Sequence, residues 1–296
     1  MSHNHAHKAP KTISGLMVAI GINIVITVFE IVLGIVANSL ALISDAAHNL
    51  TDIGSMVLGY VTEKMVARPA NDKRTYGYRK MEFVTAFVNG LILLLVTGYI
   101  LYEGIIRLFT APEVISGVMF YVGLIALLGN TIATWILTKS SKNNTNMQAV
   151  WLHSLQDALS SLGVVMGAVI IKFTGWNIVD PVISILIAVF LIKSIYHLIK
   201  RTVDALLDSV PEGIDYEEVK RDLLQIKGVT KLNDLHIWLE SSRLPMLSVH
   251  LQIEDLNDLE QIFQEAKKLL FDKYHIEHTT IQIIPVDFEM KSEYCN

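Results

Sequence analysis

Residues 83–101 read FVTAFVNGLILLLVTGYIL, without a single charge. About 20 mostly apolar residues let an α-helix cross the hydrocarbon core of a bilayer. Working outward, five further segments have the same character: 13–36, 40–61, 114–137, 147–171 and 179–199. Acids and histidines interrupt the second and the fifth, and Lys193 in the sixth is placed to snorkel to the interface. The 296-residue chain is 52% hydrophobic and 18% charged, with the apolar residues concentrated before about Arg201. A large soluble helical bundle would need charged helix faces, which these segments lack. The first apolar segment is too long for a signal-peptide core and has no clear small-residue cleavage site, so it counts as a span.

Lys and Arg in the loops set the expected orientation. On one side lie Lys8, Lys11, Lys64, Arg68, Lys73, Arg74, Arg79, Lys80, Lys139, Lys142, Lys200 and Arg201; on the other, only Arg107 and Lys172. The bias predicts both termini in the cytoplasm, and the short loops suit a bacterial inner membrane. No basic stripe points to nucleic acid. The one cysteine, Cys295, excludes an intrachain disulfide.

From Asp208 the composition turns soluble, with Pro211 and Gly213 marking a linker. Helical spacing over 215–226, alternation over 230–240 and 247–254, helical spacing over 259–274 and a last strand over 279–284 give the order αββαβ. That order predicts a small α+β domain with an open ferredoxin-like sheet and helices on one face. The expected organisation is a His-containing tail over 1–12, a six-helix transmembrane domain over 13–207, a cytoplasmic ferredoxin-like domain over 208–290 and a tail over 291–296.

Ionisable residues inside a membrane are costly and mark function by default. The second span carries Asp45, His48 and Asp52; the fifth carries His153 and Asp157. Both contain His-x-x-x-Asp, and residues four apart share a helix face. Helical rise puts both pairs near mid-membrane, on spans running in opposite directions. Two imidazoles and two carboxylates form a shell suited to Zn²⁺. Two aspartates neutralise the ion, the lack of a thiol argues against Cu(I), and the imidazoles argue against Mg²⁺ or Ca²⁺. One copy of the motif alone would read as interhelical hydrogen bonding. Asp45 reads equally as a pathway residue or a packing partner.

The sequence resembles the cation diffusion facilitator family over nearly its whole length. The resemblance rests on Asn38-Ser39-Leu40-Ala41-Leu42, Ser44-Asp45-Ala46-Ala47-His48 with Asp52, and Tyr76-Gly77-Tyr78-Arg79-Lys80-Met81-Glu82. It continues through Asn89-Gly90, His153 with Asp157-Ala158-Leu159, Val179-Asp180-Pro181 and His236-Ile237-Trp238. It implies six spans, a cytoplasmic ferredoxin-like domain, a homodimer, and exchange of divalent metal for protons with zinc as cargo, some members also carrying cadmium or cobalt. It implies no enzymatic role and no organic cofactor. His48 stands where some relatives carry Asp, which implies a narrower zinc preference. Gln156 stands where relatives often carry Gly. Metal binding needs neutral imidazole and ionised carboxylate, so metal and protons compete, in keeping with an antiporter.

In the soluble part, a hairpin centred on Arg243 would set His236 opposite His250, within reach of a bridging metal. His278 and Gln282 share a face of the last strand. The resemblance suggests a regulatory zinc site here; the bland reading is a polar sheet face. His3, His5 and His7 form either a zinc-capturing antenna or a solvated tail. A basic–acidic contact, Lys80 with Asp208, is expected to tie the spans to the soluble part. The competing functions are a membrane zinc sensor that binds without transport, a metalloenzyme and a passive channel.

Overall fold

Among the described residues of the first 200, several ionisable and amide side chains are buried while many large apolar ones face outward. Glu30, Asp45, Asn49, Asn130, Asp157 and Asp180 are buried, while Phe29, Leu95, Tyr102, Phe109, Phe173 and Leu186 are exposed. Such an exterior is stable only against lipid. The computed structural model describes residues 12–66, 68–141 and 145–288. They fall into two compact units: Met1–Leu58 with Asn89–His197, and Gly59–Val88 with Leu198–Asn296.

Six long helices carry the apolar part: α1 Thr12–Ala37, α2 Leu40–Val66, α3 Met81–Thr110, α4 Ser116–Ser141, α5 Thr145–Thr174 and α6 Val179–Leu206. Most run past the apolar segments seen in the sequence. Hydropathy marks where lipid contact stops, whereas backbone hydrogen bonding continues; α3, for example, goes on through the Glu103–Arg107 ion pair. Among the described residues, three helical stretches are long and apolar enough to cross a membrane: Met81–Thr110, Leu155–Thr174 and Val179–Leu206. Small residues let the helices close. A Cβ at Gly104 of α3 would sit 2.8 Å from Ile185 Cγ1 of α6.

The corner between α1 and α2 is built from local chemistry. Asn38 adopts a left-handed conformation, φ 53°. Ser39 N donates to Gly34 O and Asn38 N to Ile35 O, the pair of bonds that closes a helix C-terminus around a left-handed residue. The opening of α2 is then capped from outside. The buried Asp180 carboxylate, in the first turn of α6, accepts from Ser39 Oγ at 2.6 Å, Leu40 N at 2.8 Å and Ala41 N at 3.2 Å. A carboxylate at a helix N-terminus meets both orphan N–H groups and the positive end of the dipole. Arg107 Nη1 donates to Asn38 O at 2.8 Å, fastening the end of α3 to the same corner. The motifs around Ser39 and Asp180, 141 residues apart in sequence, are therefore two halves of one cap.

The second unit contains α7 Tyr216–Leu224, β1 Val229–Ser241, β2 Leu244–Ile253, a short 3-10 turn, α8 Leu259–Tyr274 and β3 His278–Pro285. The expected αββαβ order is the order observed. The sheet runs β1-β2-β3, antiparallel then parallel, with α8 as the crossover. Asp215 caps α7 by accepting from Glu218 N. Val219 and Leu223 of α7 and Ile262, Ala266 and Leu270 of α8 share one core with Ile237, Leu247, Val249 and Leu251 of the sheet.

One expectation fails on register. His250 faces Asn233, and His236 faces Ser248. The hairpin connection is Ser242-Arg243, with Ser241 paired to Leu244, and the ladder is irregular between Asn233 and His236, where Asp234 has φ 48°. A residue inserted by a bulge shifts every pair beyond it.

Lys80 Nζ donates to Asp208 Oδ1 at 2.6 Å. The pair is a third to a half exposed, so it contributes at most about 1 kcal/mol. Glu240 lies beside it: burial pushes its carboxyl above the ordinary range, Lys80 and Arg79 pull it back, and Asp208 adds to the rise.

Two outcomes follow from these contacts. Asp180→Ala orphans buried donors at the start of α2 and is expected to cost about 2–3 kcal/mol, read as a lower apparent melting temperature in detergent. Glu240 binds its proton more tightly folded than unfolded, so its ionisation lowers stability as pH rises from the unfolded value, about 4.3, through the raised folded value. Glu240→Gln is therefore expected to raise thermal stability at neutral pH, with the gain vanishing below about pH 4.

Candidate metal site

Helices α2 and α5 meet along a polar seam, and their contacts advance in opposite directions along the two chains. Near the start of α2, Ala41 and Leu42 share a core with Val164 and Ala168. One turn on, Asp45 accepts from Ser160 Oγ at 2.5 Å and Ser161 Oγ at 2.9 Å. The next step brings His48 Nε2 to Asp157 Oδ1 at 2.8 Å. The helices are thus antiparallel, and each turn along α2 is matched by one turn back along α5. Asp157 is 2% exposed. A buried carboxylate needs a donor or a cation, and His48 serves as its partner here.

Asp52 and His153 lie on the same helices one turn further along, within the backbone of α2 and α5. Their side chains lie outside the described residues, as do His3, His5, His7 and Cys295. Beside His48 is a cavity of about 300 Å³, lined also by Gln156, Leu159, Ser160, Leu186 and Phe190. Gln156 borders that space.

The structure adds groups that the sequence reading passed over. Asn130 Nδ2 of α4 donates to Ser161 Oγ at 3.1 Å, extending the Asp45 network to a third helix. Asn49 Nδ2 donates to Glu30 Oε2 at 2.9 Å, bringing α1 in. Glu30 is the single charged residue of α1. One acid in an otherwise apolar 26-residue helix was the available signal.

The soluble histidines are spread out. His250 sits opposite Gln282 on β3, and its Nδ1 lies 3.5 Å from Asp234 Oδ2. His236, one rung along, is its diagonal neighbour. His278 pairs with Met246, four residues from the Gln282 rung and so about 13 Å away along the strand. Its ring meets Tyr76 edge-on. Among the described residues, no three His, Cys, Asp or Glu side chains converge closely enough to hold a metal.

Two family descriptions match the chain: "Cation efflux transmembrane domain" over residues 16–207 and "Cation efflux protein, cytoplasmic domain" over residues 211–286. The metal cation efflux system protein CzcD of Cupriavidus metallidurans is 37% identical over 281 residues, covering 95% of this chain and 89% of its own. The zinc transporter ZitB of Escherichia coli is 32% identical over 290 residues, 96% of this chain and 92% of its own. A cadmium, cobalt and zinc/H(+)-K(+) antiporter of Bacillus subtilis is 33% identical over 287 residues, again 96% and 92%.

Ser161 is the junction of the seam, donating to Asp45 and accepting from Asn130. Ser161→Ala is expected to lower stability by about 1–3 kcal/mol and Ser160→Ala by less, because Ser160 has no Asn130 bond to lose. Parallel thermal melts in one detergent compare them.

Proposed function

The chain belongs to the cation diffusion facilitator family, and on that premise we propose that it is a proton-coupled zinc antiporter exporting Zn²⁺ from the cytoplasm. Its membership makes it a multi-pass membrane protein of metal-cation efflux. The finer reading is six spans, both termini in the cytoplasm of an inner-membrane protein, a ferredoxin-like soluble domain and a homodimer. The transport ligands are His48, Asp52, His153 and Asp157.

One observation carries this reading: the antiparallel contact of α2 and α5 through His48 and Asp157. The step that takes Asp45–Ser160 to His48–Asp157, carried one turn further, would set position 52 opposite position 153. Two nitrogen and two oxygen donors would then face one point, a shell suited to tetrahedral Zn²⁺. Imidazole nitrogens favour zinc over hard cations, with cadmium and cobalt as competing cargo, as the Bacillus relative's name suggests.

The His48–Asp157 hydrogen bond supports proton coupling. The atoms that would hold zinc, His48 Nε2 and Asp157 Oδ1, are bridged by a hydrogen bond, so loading the ion must break that bond. A protonated His48 cannot ligate, because its lone pair is occupied. Protons arriving from outside would release zinc, and zinc arriving from inside would displace protons.

Purified protein in liposomes, with lumenal zinc and pH followed together, tests the proposal. Zinc uptake with opposing proton movement is expected, and Asp157→Ala should lose at least about tenfold in rate, since it removes a carboxylate from the shell. Zinc held tightly without movement would replace the antiporter by a sensor. Zinc flux without proton movement would replace it by a channel.

A further inference from the structure

A cavity of about 360 Å³ lies wholly within the second compact unit, apart from the candidate transport ligands. One wall is the loop between α2 and α3, which contributes Arg68, Tyr76 and Arg79. The other wall is the sheet, with Met246 of β2 and His278 at the start of β3. Two guanidiniums, an imidazole and a phenol border the space, and among the described residues no carboxylate does.

The basic groups also lack a counter-charge. Among the described residues, no Asp or Glu forms an ion pair with Arg68, Arg79 or His278. Two acids of the same unit are engaged elsewhere: Glu82 accepts from Ser242 N at 3.3 Å, and Asp208 accepts from Lys80. The loop keeps its shape without using the cavity's donors. Asn71 and Arg74 exchange backbone hydrogen bonds, and Gly77, at φ 78°, donates from its N to Arg74 O. Arg74 stacks on the Tyr78 ring at 4.4 Å and donates to its hydroxyl at 2.8 Å. Arg68 lies over the same ring at 5.9 Å. That contact orients the guanidinium and consumes none of its N–H donors. Tyr76 meets the His278 ring edge-on.

Two guanidiniums bordering one space repel each other, and an anion between them relieves the repulsion. The planar fork of a guanidinium matches the oxygens of a phosphate, and an imidazole keeps one N–H donor even when neutral. Depth points the same way. The charge-free stretch of α3 begins at Phe83, four residues past Arg79, a rise of roughly 6–8 Å. The headgroup layer of a bilayer extends about 5–8 Å beyond its hydrocarbon core.

We propose that this cavity is a phosphate-binding site, with Arg68 and Arg79 as its charged donors and His278 as a third, which takes the phosphate of an anionic membrane lipid or a free phosphate ion of the same chemistry. The site is independent of the antiport reading. Its two walls come from the α2–α3 loop and the sheet, so a bound phosphate ties them together and stabilises the second unit.

Thermal melts of the full-length, metal-free protein in a neutral detergent test this. Inorganic phosphate or phosphatidylglycerol is added at constant ionic strength, with phosphatidylcholine as the neutral-lipid control. The wild type is expected to show a saturable rise in apparent melting temperature. Half-saturation should move up at least about tenfold in Arg68→Gln and in Arg79→Gln, each of which removes a charge-assisted donor. Both arginines are exposed, so these variants are expected to fold. Arg79→Lys, which keeps the charge and loses the fork, should shift half-saturation less than Arg79→Gln. Lys267→Gln, which removes the same charge from the exposed face of α8, should leave it unchanged. Saturation by phosphatidylglycerol alone assigns the site to a lipid headgroup, and saturation by inorganic phosphate assigns it to the free ion. No saturable rise with either, an equal rise with phosphatidylcholine, or half-saturation that is unchanged in both arginine variants would overturn the proposal.

Discussion

The candidate site depends on a short polar seam between α2 and α5. The outer surface of the membrane part is apolar, so buried polar groups cannot turn to water and must satisfy one another. Asp45 meets Ser160 and Ser161, and His48 meets Asp157, because the helices run antiparallel with matched turns. The same geometry brings His48 of one His-x-x-x-Asp motif onto Asp157 of the other. The register is held from a distance. Asp180 fixes where α2 begins, and His48 lies just over two turns beyond, roughly 12 Å along the axis. An error at the cap would propagate to the site.

A carrier has to hold its charges without locking them. A salt bridge to lysine or arginine would neutralise Asp157 permanently and leave nothing for a metal to gain. Histidine is a weaker partner, able to give up its proton near physiological pH and then to ligate. The polar seam follows the same rule. Serine and asparagine side chains donate hydrogen bonds to its carboxylates: Ser160 and Ser161 to Asp45, Asn49 to Glu30.

The site could be read from the sequence wherever local periodicity decides it. His48 and Asp52, like His153 and Asp157, share a helix face by spacing alone, and the αββαβ order follows from alternation and amphipathic spacing. What was not legible depends on contacts between distant segments. Asp180 looks like an ordinary first-turn acid until Ser39 and Leu40 are seen on it. Glu30 could have been noticed as the lone charge of α1, yet only the Asn49 amide on it shows what it meets. The soluble strands show the same limit. Alternation correctly separated His236 and His250 from the core-facing residues, but register depends on the turn and on the bulge at Asp234, and neither has a periodic signature.

A zinc-edge anomalous map of the zinc-loaded protein would test the central claim most directly. The predicted result is a peak between α2 and α5, with His48, Asp52, His153 and Asp157 each about 2.0–2.2 Å from the ion. A peak elsewhere, or one at His48 and Asp157 with neither Asp52 nor His153 in the shell, would contradict it.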